Sequence, residues 1–159
     1  MAYPAIERLS PNQDLSRPHE RLGVVFHHTE CGYDEALALM GDAAYQRSYH
    51  VIIRDDGLRC TLVPDEAVAW HAGASSFQGR SRCNDFLLGV AFAGDTYRAP
   101  LTADQIASAL EWLTLRWQPY RWALGGMTDH RTIAPGRKQD LNPAEWSRLR
   151  TAIATHFQG

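Results

Sequence analysis

Cysteine is scarce in this chain and poorly spaced for chemistry. Cys31, Cys60 and Cys83 are three among 159 residues, an odd number with no C-x-x-C spacing. That excludes a disulfide framework and a cysteine zinc site, and leaves free thiols, with Cys60 and Cys83 expected in the interior. A surplus of positive charge is missing too: the net charge is −2 with no long basic run, so nothing draws the chain to nucleic acid phosphates. No stretch approaches the roughly 18 consecutive apolar residues of a membrane span. The opening MAYPAIERLSPNQDLSRPHE has no apolar core of a secretory signal, so cytoplasmic residence is the expectation. Repeats, low-complexity tracts and interdomain linkers are also absent.

What is present suits one domain: 45% of residues are hydrophobic and 21% charged, enough for an ordinary core. Residues 1–20, rich in proline and polar groups, read as an extended lead-in, and residues 21–159 as the domain proper. Leu22 to His28 is an apolar run of strand length that ends in two histidines. Asp34 can cap a helix that runs to about Gln46, with Leu37, Met40 and Ala44 on one stripe. Tyr49 to Arg54 and Leu58 to Val63 flank Asp55-Asp56-Gly57, a hairpin signal. Leu87 to Ala93 is a further strand. Thr102 and Gln105 form a capping box for a helix carrying Ile106, Ala109, Leu110, Leu113 and Trp117. Asn142, Pro143 and Glu145 open a last helix with Trp146, Leu149, Ile153 and Phe157 on one face. Strands interleaved with three helices predict an α/β architecture around a central mixed β-sheet.

Seven histidines carry the chemistry, and they differ in promise. Thr128 to Asp140 sets His130, Lys138 and Asp140 around a Pro135-Gly136 turn that can curl the chain back on itself. In an extended segment Lys138 and Asp140 project to the same side, because strand side chains alternate with period two. A carboxylate with imidazoles suits a catalytic zinc that keeps its fourth position open; the same spacing is also compatible with a loop of solvated charges. His27 and His28 point to opposite faces if their strand persists, so at most one of them reaches a shared site. His50 reads as a satisfied sheet histidine. His71, in Ala69-Trp70-His71-Ala72-Gly73, has small neighbours that open space beside an aromatic, as at the rim of a binding site or in a turn after a strand. His19 and His156 are expected at the surface.

Taken in order, VVFHHT, SYHVIIRDDG, AWHAGASSFQGRSRCNDFLLGV and DHRTIAPGRKQD resemble the zinc-dependent N-acetylmuramoyl-L-alanine amidases. That superfamily includes phage amidase-type lysozymes, animal peptidoglycan recognition proteins and the amidase of wall recycling that acts on anhydro-muropeptides. The resemblance spans about Leu22 to Trp146. It implies a peptidoglycan-recognition-protein-like fold with Zn2+ in a groove on one face of the sheet. It implies His27, His130 and Asp140 as the metal ligands, with Tyr49 and Lys138 as catalytic residues. Trp70, His71 and Arg82 are implied as substrate-binding residues, the last toward a carboxylate of the stem peptide. The implied activity is hydrolysis of the amide between N-acetylmuramic acid and L-alanine in peptidoglycan or a muropeptide. Zinc would supply an activated water, and Lys138 would stabilise the oxyanion.

Two departures from the recycling branch stand out. That branch carries a glutamate as general base where this chain has Ala91, and an alanine where this chain has Tyr49. The segment from His27 to Tyr49 is also shorter here. Both differences favour an endolysin-like, wall-lytic enzyme, released through a holin or similar route. The alternatives are a cytosolic recycling amidase and a peptidoglycan-binding module without catalysis. No protein partner is indicated.

Overall fold

The computed structural model describes residues 3–158; the outermost ends of the expected lead-in and domain, at residues 1, 2 and 159, lie outside it. Along the chain run β1 (Ala5–Glu7), β2 (Gln13–Asp14), β3 (Gly23–His28), α1 (Tyr33–Met40), β4 (Val51–Ile53), β5 (Arg59–Thr61), β6 (Val68–Ala69), β7 (Ser76–Phe77), β8 (Arg80–Ser81), β9 (Leu87–Phe92), α2 (Ala103–Trp117), β10 (Met127–Asp129), α3 (His130–Ile133) and α4 (Pro143–Phe157). Six strands form the central sheet in the order β1-β5-β4-β9-β3-β10. Only β4 and β5 pair antiparallel; β1–β5, β4–β9, β9–β3 and β3–β10 are parallel. The expected mixed α/β sheet is therefore what forms. No helix among the described residues is long and apolar enough to cross a membrane.

Period-two alternation sorts the strands into two faces. Val24 and Phe26 of β3, Val51 and Ile53 of β4, and Leu88, Val90 and Phe92 of β9 share one core with Ala109, Trp112 and Leu113 of α2 and Leu149 and Ile153 of α4. On the opposite face, Ile52 and Ala91 pack with Ala36 and Met40 of α1, and Val25 and Leu87 pack with Cys83, Phe86 and Ile133. His27 belongs with this second face, two residues on from Val25.

Local chemistry explains the ends of these elements. The Thr102 hydroxyl accepts from the Gln105 N–H at 2.9 Å while the Gln105 side chain accepts from the Thr102 N–H at 3.0 Å, a complete capping box. Asn142 accepts from the Ala144 N–H, with Pro143 at the first helical position of α4. The hairpin closes through the Arg54 N–H donating to the Leu58 carbonyl at 2.9 Å, and Gly57 takes the positive φ of 90° that its turn requires.

Three expectations change. Helix α1 stops at Met40 instead of reaching Gln46, and Asp34 lies in its first turn, Gly32 being the N-cap. Asp42 instead caps a separate short turn, Ala43–Tyr45, by accepting from the Ala44 N–H at 2.9 Å. The lead-in is partly sheet: β1 pairs with β5, and β2 with β6. His19, expected at the surface, is buried, its Nε2 3.2 Å from the Leu87 carbonyl oxygen. Cys60 and Cys83 are buried free thiols, as expected, and Cys31 is half-buried.

Candidate metal centre and groove

The carboxyl ends of parallel strands are where open α/β sheets place their sites, and here β3 and β10 end side by side. His27 is the penultimate residue of β3, and His130 follows β10 directly. Asp140 returns after the Pro135-Gly136 turn. It accepts from the His28 N–H at 3.3 Å, so the end of β3 itself holds the carboxylate. Asp129 ties the loop down: its carboxylate accepts from the Thr132 N–H and the Leu141 N–H, both at 3.1 Å.

Three acceptor atoms converge as a result. His27 Nδ1 lies 3.0 Å from His130 Nδ1 and 3.5 Å from Asp140 Oδ2, and His130 Nδ1 lies 3.3 Å from Asp140 Oδ1. A tetrahedral zinc bound at about 2.0–2.1 Å places its ligand atoms about 3.3–3.4 Å apart. The triangle matches that edge. All three side chains are buried, and no other group of three or more histidine, cysteine or acidic residues among the described residues is arranged to hold a metal.

The tautomers follow from what the far ring nitrogens touch. His130 Nε2 is 3.0 Å from the Ala72 carbonyl oxygen. A carbonyl can only accept, so Nε2 carries the proton and Nδ1 is left bare. His27 Nε2 faces His71 Nδ1 at 2.9 Å, and His71 Nε2 faces the Leu87 carbonyl oxygen at 3.0 Å. Two bare imidazole nitrogens and a carboxylate thus meet with no donor among them. Such a set calls for a cation.

Electrostatics agrees with the geometry. Burial and the neighbouring His130 push His27 down to about 4. Burial pushes the Asp140 carboxyl up, but the adjoining His130 and His27 outweigh it and hold the group well below the usual carboxylate range. Burial, with the neighbouring His27 and His50, holds His71 well below the ordinary histidine value. Around physiological pH the His27 ring is therefore neutral and Asp140 an anion, the states in which each can bind zinc.

Above the triangle lies a groove of about 320 Å³ whose lining includes Tyr49, Trp70, His71, Lys138 and all of the expected ligands except His27. The Tyr49 ring is 5.1 Å from the His27 ring. Burial, followed by the Asp140 charge, raises its hydroxyl well above the usual range, so it stays protonated and can donate. Ala91 pairs in register with His27 and is fully buried in the cluster that Tyr49 packs against. Lys138 is half-buried and lines the same groove.

Two expected substrate contacts sit differently. Arg82 is 71% exposed, lies 3.5 Å from Asp85, and is not part of the groove lining. His71 lines the groove, yet both its ring nitrogens are engaged inside the protein, which leaves neither for a ligand. His28 turns away from the metal site: its Nδ1 accepts from the Thr96 N–H at 3.0 Å and meets the Thr96 hydroxyl at 2.8 Å.

Two residues hold the groove's wall, and sequence reading missed one of them, Arg137. Arg137 donates to the Ala74 carbonyl at 2.8 Å and also to the Ala72 carbonyl at 2.6 Å. It thereby clamps the Trp70–Ala74 loop from across the chain. Asn84 Oδ1 accepts from the N–H groups of His71 and Ala72 at 3.1 and 2.8 Å. Asn84 is part of the RCND run, and its place there points to fixing the loop and not to touching substrate; nothing signalled Arg137.

A mixed sheet with a His–His–Asp triangle at the carboxyl ends of its parallel strands defines an α/β protein with three converging acceptors that could hold one metal ion beside an open groove. The N-acetylmuramoyl-L-alanine amidase family model matches residues 18–143, and the chain belongs to that family. The 1,6-anhydro-N-acetylmuramyl-L-alanine amidase AmpD of Citrobacter freundii is 40% identical over 116 residues, covering 71% of this chain and 60% of that protein. The chain thus spans about three fifths of that relative's length. The crystal structure of a selenomethionine AmpD derivative superimposes with a TM-score of 0.79 at 32% identity, covering 96% of each chain. The amidase AmiD from E. coli, solved with anhydro-N-acetylmuramic acid-L-Ala-D-γ-Glu-L-Lys, gives a TM-score of 0.73 at 26% identity, covering 84% of this chain and 58% of AmiD.

Proposed function

We propose that this chain hydrolyses the amide joining the lactyl group of N-acetylmuramic acid to L-alanine, and that its substrates are soluble anhydro-muropeptides. The observation that carries the reading is the triangle of His27 Nδ1, His130 Nδ1 and the Asp140 carboxylate, three acceptors 3.0–3.5 Å apart beside an open groove. Zinc, when bound there, supplies a Lewis acid and a water of lowered pKa. The chain's own residues do the rest. The Tyr49 hydroxyl donates a hydrogen bond to the oxygen at which negative charge develops, and the Lys138 ammonium faces the same charge. Trp70 offers an aromatic face to the sugar. Arg82 is free to swing from Asp85 toward a stem-peptide carboxylate at the groove's margin.

The endolysin-like reading rested on Tyr49 in place of a glutamate and on the short link between His27 and Tyr49. Those features concern the proton relay and the groove's openness. The relatives bear on the substrate itself: one is named for its action on the 1,6-anhydro sugar, and a structural neighbour holds an anhydro-muropeptide. They favour the soluble fragment over the polymeric wall.

Mass spectrometry of zinc-loaded protein incubated in parallel with intact peptidoglycan and with a soluble anhydro-muropeptide tests the proposal, with His130→Ala as control. Release of free peptide from the soluble fragment alone is the expected result. Equal or faster release from the intact wall would restore the lytic reading. No cleavage of either by protein that binds zinc would leave a binding module.

A further inference from the structure

We infer that His71 is a positioning residue that fixes the tautomer of His27 for the metal, acting through a relay anchored on the Leu87 carbonyl. The inference rests on the metal-site reading above and assigns His71 a task other than substrate contact. The relay is read from its far end. Leu87 O accepts from His71 Nε2 at 3.0 Å. Because that oxygen has no proton to give, His71 must carry its own proton on Nε2, which leaves Nδ1 bare. A bare Nδ1 at 2.9 Å from His27 Nε2 makes His27 the donor. His27 Nδ1 is then bare, and it points at His130 and Asp140.

The same carbonyl receives a second ring, His19, through Nε2 at 3.2 Å, and His19 Nδ1 accepts from the Arg21 N–H at 2.9 Å. The anchor therefore has both lone pairs occupied by ring donors. It cannot turn away without leaving a buried N–H unpaired. His71 is held from below by the strand. A Cβ at Gly89 of β9 would lie 2.6 Å from His71 Cγ, so only glycine lets the ring lie against the sheet at that position. Gly89 is itself held by His50, whose Nδ1 accepts from the Gly89 N–H at 3.0 Å. Asn84 fixes the backbone N–H of His71. A ring pinned on its flat side, at its backbone and at both nitrogens has one orientation.

An imidazole ligand donates its second N–H to an acceptor that sets its tautomer, and losing such a partner typically weakens metal binding about 10–100-fold. The acceptor is usually a carboxylate, carbonyl or water; here it is a third histidine.

Zinc affinity by chelator competition, measured for wild type, His71→Leu and His71→Asn, tests the idea. Leucine fills the space without an acceptor, and asparagine places its side-chain oxygen where Nδ1 stood. The expected result is a loss of about 10–100-fold in His71→Leu, most of it recovered in His71→Asn. Wild-type affinity in His71→Leu, or equal losses in both variants, would overturn the inference, the latter pointing to packing alone. Nitrogen NMR of the imidazoles in metal-free wild type gives a second test that needs no variant. Protons on Nε2 of both His27 and His71 are expected, and a proton on Nδ1 of either ring would overturn the relay. Failure of wild type to bind zinc would sink the proposed function instead, while the NMR result would still decide the relay.

Discussion

His27 and His28 are neighbours, both buried at the end of one strand, and their fates are opposite. His27 faces the groove side of the sheet, where its Nδ1 meets only other acceptors. His28 faces the helix side, where Thr96 satisfies its Nδ1 through both an N–H and a hydroxyl. Burial and residue type do not separate them; the presence of a donor does. The contrast extends to whole faces. Against the helices, β3, β4 and β9 present valine, isoleucine, leucine and phenylalanine to α2 and α4. On the groove face, beside the apolar Val25, Ile52 and Leu87, the same strands present His27, Gly89 and Ala91, residues that serve the site as ring, floor and space.

Substitutions on the two faces should therefore separate metal binding from stability. His130→Ala deletes one corner of the triangle. Zinc binding is expected to fall below stoichiometry and hydrolysis to drop by at least the 10²–10³-fold typical of losing one oxyanion donor, with the fold retained by circular dichroism. Leu149→Ala, on the helix side, is expected to lower stability by about 2–5 kcal/mol by opening a cavity. The folded fraction should still bind one zinc with wild-type affinity. A large loss of zinc affinity in the Leu149 variant would show that the faces are not independent.

Within the groove, Tyr49→Phe and Lys138→Ala divide binding from chemistry. Each removes a donor and spares the ligands, so kcat is expected to fall about 10²-fold with zinc affinity unchanged. A Tyr49→Phe enzyme with normal kcat would shift the donor's role to Lys138. His28→Ala should cost less: it strands the Thr96 N–H, about 1–3 kcal/mol of stability in a thermal or denaturant melt. Zinc affinity should stay within a few-fold, and loss of zinc would mean that the His28 ring, not only its backbone N–H, holds Asp140.

The helix face was readable from sequence because its rules are local. The Thr102–Gln105 box and the Asn142-Pro143 start act within a few residues, and alternation placed Val24 and Phe26 opposite His27. The end of α1 was misread because Leu37, Met40 and Ala44 continue a stripe past Gly41, while Asp42 makes a competing cap that a stripe does not register. On the groove face, single residues were legible and their relations were not. His27, His130 and Asp140 came from a family resemblance. The His71–His27 bond joins positions 44 apart in sequence, and the Arg137–Ala72 clamp joins positions 65 apart. His19 looked like a surface residue because nothing local announces that the lead-in runs across β9 and buries the ring.

The buried histidines behind the groove also set the response to acid, and His50 provides the cleanest reading. It touches no metal ligand; its Nε2 donates to the Ala67 carbonyl at 2.8 Å and its Nδ1 accepts from the Gly89 N–H. Burial pushes it from 6.5 down to about 3. Below pH 6.5 the unfolded chain takes up a proton at this residue that the folded protein refuses until about pH 3. The unfolded state then binds more protons, so stability rises with pH: it is fully present above 6.5 and is lost as pH falls through that window. One such group contributes a slope of about 1.4 kcal/mol per pH unit. His50→Asn keeps an acceptor for the Gly89 N–H and removes the titration. Urea melts of the metal-free protein between pH 6 and 4 are expected to show a slope shallower by about that amount than wild type. An unchanged slope would mean that the ring takes up its proton while still folded, and that the back of the groove admits water.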